Sequence, residues 1–144
     1  MNRKNRYLWL LWSGILGGGV TVGEWVVRST DAYAALNFSS DYHGILGCLV
    51  LLVNFGVPFT VGLISGWAFD GSNLRRMCAG ITGGVWTLSV SMLIWMTINI
   101  PYEPNWWPDI IVFPIINGVT GAAGGFCSTE LSRHLQKFRR SGSA

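Results

Sequence analysis

The sequence predicts an all-α integral membrane protein, a compact four-transmembrane-helix bundle with glycine-mediated close packing. Three observations carry that expectation. Half of the 144 residues are hydrophobic and only 12% are charged. The apolar residues gather into long runs at 7–27, 43–69, 74–98 and 108–129, and many of the 19 glycines recur four residues apart inside them. Lipid offers no hydrogen bonds, so each spanning backbone must satisfy itself, and a β-barrel would instead alternate polar and apolar residues over short strands.

The first segment follows the basic residues Arg3, Lys4 and Arg6 and runs over 7–27. A helix of about 21 residues rises about 31 Å, against a hydrocarbon layer of roughly 30 Å. Ala32-Tyr33-Ala34 resembles a signal-peptide cleavage site. The run before it exceeds the usual signal core of about 7–15 residues, contains Glu24 and ends well short of that site, so a retained first helix is expected. Arg28 lies four residues after Glu24 on the same helical face, and the two are expected to pair near the outer interface with both heads snorkelling. A contact between Glu24 and another subunit is the alternative.

Segments two and three are joined by Asp70-Gly71-Ser72-Asn73, where Gly adopts unusual dihedrals and Ser or Asn caps the next helix. A hairpin follows. The next connection, Pro101 to Pro108, breaks the third helix and places Pro108 in the first turn of the fourth. Residues 130–140 then read as an interfacial helical extension, with Leu131, Leu135 and Phe138 on one stripe and Arg133, Lys137, Arg139 and Arg140 facing headgroups or a cytoplasmic partner. Residues 1–144 form a single membrane domain, with no room for a separate catalytic one.

Charge orients the bundle. Nine of the ten Lys and Arg residues fall on one side of a four-span chain, while the other side carries Arg28 with Asp31, Asp41, Glu103 and Asp109. Both termini are therefore expected in the cytoplasm, in a plasma or other energy-related membrane. Trp9, Trp12, Trp25, Trp67, Trp95, Trp106 and Trp107 lie near span ends and fit an aromatic belt.

Glycine pairs four apart share a helix face and let neighbouring backbones approach closely. The pairs are Gly14 and Gly18, Gly19 and Gly23, Gly62 and Gly66, Gly80 and Gly84, and Gly121 and Gly125. These faces pack the monomer, meet another chain, or do both.

Asn54 with Pro58, and Asn117 with Pro114, are the deep polar marks of segments two and four. An in-helix proline frees a carbonyl and bends the helix, while Asn both donates and accepts. They form either interhelical contacts or the lining of a polar passage. Thr87, Ser89, Ser91 and Thr120 satisfy local carbonyls.

No catalytic, cofactor or metal motif is expected. His43 and His134 fall at opposite ends of the bundle, and Cys48, Cys78 and Cys127 have no ligand spacing. The Gly14 to Gly19 stretch lacks both the strand context of a dinucleotide site and the Gly-Lys-Ser/Thr ending of a phosphate loop. The few basic residues are absorbed by topology, which leaves no nucleic-acid surface.

The functional expectation is a small non-catalytic accessory or structural subunit of a multi-protein membrane complex. Its partners would be membrane lipids and either other integral membrane subunits or further copies of itself. A small homo-oligomeric channel or transporter, with its passage near the two asparagines, is the alternative, and an enzyme is least expected.

Overall fold

The computed structural model describes residues 3–31, 43–69, 71–98 and 111–141. Among these residues every regular element is helical: α1 (Arg3–Arg28), α2 (His43–Leu51), a π-helical turn (Leu52–Gly56), α3 (Val57–Ala68), α4 (Asn73–Thr97) and α5 (Phe113–Ser141). α2, the π turn and α3 form one continuous rod.

Among the described residues three stretches are long and apolar enough to cross a membrane: Asn5–Arg28, Gly44–Ala68 and Asn73–Thr97. α5 is not among them. Gly118, Gly121, Gly124 and Gly125, together with Asn117, Thr120, Ser128 and Thr129, dilute its apolar residues.

The helix limits differ from the expected ones where hydropathy and helicity part company. α1 starts at Arg3 rather than residue 7, because Arg and Lys are good helix formers and apolarity marks only where lipid would begin. α5 continues past Thr129 to Ser141, so 130–140 extends the same helix, with Glu130 and Arg133 paired one turn apart. Pro114 is the second residue of α5, preceded by π-helical Ile111 and Val112. It therefore sits in the helix's first turn, where a missing N–H is tolerated, and not in its interior. The Ala32-Tyr33-Ala34 site, the Pro101 to Pro108 connection with Trp106 and Trp107, the acidic residues Asp41, Glu103 and Asp109, and the side chains of Leu135, Lys137, Phe138, Arg139 and Arg140 lie outside the described residues.

The hairpin between α3 and α4 is built from its turn chemistry. Gly71 has φ 144°, which disfavours a side chain, and Ser72 Oγ accepts the Arg75 backbone N–H at 3.4 Å as N-cap. Asn73 does not cap. Its Oδ1 accepts the Thr129 hydroxyl at 3.2 Å, which ties the start of α4 to α5.

Side-chain pairs fix the helix directions. Tyr7 meets Phe69 and Trp9 meets Trp67 edge to face, with ring centroids 5.5 and 6.4 Å apart, so α1 and α3 are antiparallel. Trp25 meets Trp95 at 5.5 Å, which together with Gly14 against Trp86 makes α1 and α4 parallel. Trp95 is buried and belongs to the core rather than to a belt. α1 and α5 each pack on both α3 and α4, while α2 packs closely against no other rod.

α5 holds its place by backbone contact. A Cβ on Gly66 would lie 2.7 Å from Gly125 Cα, and one on Gly62, Gly80 or Gly121 would collide with a facing carbonyl. Large apolar side chains such as Leu16, Leu52, Leu93 and Val119 are exposed, whereas the fully buried side chains are Thr87, Pro58, Ser65, Ser91 and Ser128. Glycine and small hydroxyl side chains thus share the interior with Val22, Val61, Leu88, Val90 and Trp95, while many large apolar side chains face outward.

Replacing Gly80 or Gly121 by Ala is expected to cost about 1–3 kcal/mol through overpacking. Gly19→Ala, whose Cβ meets nothing within 4 Å, is expected to leave stability equal or slightly higher. Thermal unfolding of the three variants in one detergent checks the contrast.

Candidate functional site

One small cavity is shared by the α1, α3, α4 and α5 rods at the level of the two asparagines. Its volume is about 10 Å³, and it is lined by Thr21, Trp25, Asn54, Pro58, Leu88, Ser91, Phe113 and Asn117. The structure thus brings Asn54, Pro58 and Asn117 to one place, while Pro114 lies beside it in the chain next to the lining residue Phe113.

Each amide and hydroxyl of the lining first serves its own helix. Asn54 Nδ2 donates to the Val50 carbonyl at 2.8 Å, and Asn117 Nδ2 donates to the Phe113 carbonyl at 2.9 Å. Thr21 Oγ1 donates to Gly17 O at 3.1 Å, and Ser91 Oγ donates to Thr87 O at 2.8 Å with Gly18 O of α1 at 3.4 Å. Thr87, Ser89 and Thr120 similarly bond the carbonyls of Gly83, Val85 and Ile116. Bonds of this kind compete mildly with the helix ladder and carry polar groups through an apolar setting.

Pro58 explains the irregularity beside the cavity. It has no N–H to return to the carbonyl of Asn54 four residues earlier, and the π turn at Leu52–Gly56 ends one residue before α3 begins. The widened turn carries Asn54.

Glu24 and Arg28 lie on α1. Arg28 Nη1 donates to Glu24 Oε1 at 3.4 Å, with Arg28 about half exposed, while Glu24 Oε2 is buried and has no hydrogen-bond partner. Neither residue lines the cavity.

The glycine faces divide into two sets. Gly62, Gly66, Gly80, Gly84, Gly121 and Gly125 lie at contacts of α5 with α3 and α4, and Gly14 and Gly18 on α1 face Trp86 and Val90. A Cβ on Gly19 or Gly23 would meet nothing within 4 Å among the described residues, so this pair does not serve the internal packing of the bundle and only the expected contact with another chain is left for it. They follow Gly18 and sit on the opposite, exposed side of α1 beside Leu16, Val20 and Val27.

A second polar cluster was not legible from residue types alone. Arg76 is 7% exposed, and its Nη1 donates to Ser128 O at 3.2 Å and to Ser132 Oγ at 2.9 Å. The signal was its phase, because Arg76 shares a face with Gly80 and Gly83, whereas Arg75 is exposed. The Arg76 cluster, Tyr7, Phe69 and Arg133 gather at one end of the bundle, and Arg28 is at the other.

Among the described residues no three His, Cys, Asp or Glu side chains converge to hold a metal ion, and Cys48, Cys78 and Cys127 are free thiols on the surface. Comparison with protein-family models, curated proteins and solved structures gave no match.

Removing the buried guanidinium by Arg76→Met is expected to destabilise by about 1.5–3 kcal/mol, the usual worth of hydrogen bonds to a charged group. Arg75→Met should stay within about 0.5 kcal/mol of the parent, as for most surface changes. Denaturant unfolding in micelles measures both.

Proposed function

We propose that this chain is a four-helix integral membrane protein with both termini cytoplasmic, acting as a small non-catalytic subunit that packs against other membrane helices. The observation that carries this reading is the burial pattern, with many large apolar side chains outside and glycine, serine and threonine prominent inside, beside a few apolar residues such as Val61, Leu88 and Trp95. That arrangement suits lipid as solvent, since helix association there rests on close van der Waals contact and polar bonds rather than on apolar burial. α5, less apolar than the other rods, would span with its small-residue face sheltered by α3 and α4.

Several features support the accessory role. The cavity shared by the rods among the described residues is about 10 Å³, too small to carry a solute through. The apolar α2 and the outer side of α1 remain uncovered among the described residues. The basic end of the bundle supports a cytoplasmic placement of Arg6, Arg75 and Arg133.

A second reading is a homo-oligomeric channel or transporter. It is favoured by one observation, that Asn54 and Asn117 border the same cavity. A passage would then require the rods to separate at that level.

Gentle extraction from the native membrane followed by native mass spectrometry separates the two readings. Different subunits at fixed stoichiometry are the expected result. A homogeneous oligomer of this chain alone would contradict the accessory role and favour the channel, which solute flux in proteoliposomes would then test.

A further inference from the structure

We propose that the cavity between the rods is a binding site for a single water molecule, which cross-links Asn54, Asn117, Ser91 and Thr21. The inference does not depend on whether the chain is a subunit or a channel.

Size comes first. A cavity holds one water when it offers about 10–15 Å³ to a water-sized sphere and two to four polar partners. This cavity offers about 10 Å³ and four amide or hydroxyl side chains from separate rods, with the Trp25 indole beside them.

The remaining hydrogen-bonding capacity then selects the guest. Thr21 and Ser91 each have one hydroxyl hydrogen, already directed to a carbonyl of their own helix, so they present lone pairs. Asn54 and Asn117 have each committed one N–H to their own helix and keep a second N–H and an amide oxygen. The lining therefore presents acceptors together with donors. A bare cation meets repelling N–H hydrogens, no carboxylate lines the cavity to neutralise it, and burying an unpaired charge is costly. An anion meets the lone pairs. Water gives two hydrogens and accepts two, and it alone matches both kinds of group at this size.

The site also accounts for the asparagines as a pair. Their bonds to Val50 and Phe113 are local and leave the two side chains on separate rods unjoined to each other. One water makes them partners across two rods.

The test uses the full chain in lipid nanodiscs or micelles. Water-to-protein cross-relaxation in NMR should give a long-lived water signal at the side-chain amides of Asn54 and Asn117, lost in Asn117→Leu. Thermal midpoints of Asn54→Leu, Asn117→Leu and the double variant should be non-additive, the double falling little below the lower single, because either change expels the same water. Ser91→Ala, a milder change, should keep the fold and weaken the water signal. Additive midpoints with no water signal at either amide in the parent chain would overturn the proposal. So would a midpoint that shifts between sodium, potassium and choline chloride at equal ionic strength in the parent but not in Asn117→Leu, since that would make the guest a cation.

Discussion

Contact between the backbone of α5 and those of α3 and α4 is the constraint on which the rest of this structure depends. Glycine costs a helix about 0.8–1.0 kcal/mol relative to alanine, and this chain places four glycines between Gly118 and Gly125 alone. The return is proximity. With no Cβ at Gly62, Gly66, Gly80, Gly84, Gly121 and Gly125, carbonyls and Cα atoms of facing helices touch directly. Each contact is worth little, yet they sum over the length of the interface and are joined by weak Cα–H···O bonds.

That closeness decides what else the interior holds. Backbones in contact leave no room for leucine layers, so small side chains such as Thr87, Ser65, Ser91, Ser128 and Pro58 are fully buried, beside the larger core residues Val22, Val61, Leu88, Val90 and Trp95. The hydroxyls of Thr87, Ser91 and Ser128 bond carbonyls of their own helices. Where proline opens a π turn in the second rod, the packing relaxes enough to leave the Asn54–Asn117 cavity. At the basic end, the buried Arg76 and the Asn73–Thr129 bond fasten α4 to α5 by polar means.

Much of the helical layout was legible because hydropathy and turn chemistry act locally. Ser72 as cap and Gly71 in the turn follow from residues adjacent in sequence. The Glu24–Arg28 bridge follows from a four-residue offset. What depended on partners was less legible. Spacing marks Gly19 and Gly23 as strongly as Gly14 and Gly18, yet only the phase of α1 against α4 decides which pair turns inward. Gly17, Gly83 and Gly124 sit at close contacts without standing out by spacing. The burial of Arg76 follows from the docking of α4 on α5 rather than from the residue's own preference.

The central claim is that glycine backbones of different helices touch. Solid-state NMR of protein carrying ¹³C-labelled glycine in lipid tests it directly. The account predicts cross-peaks between Gly66 and Gly125 and between Gly84 and Gly121, each pair far apart in sequence. A spectrum holding only contacts within each helix would contradict it.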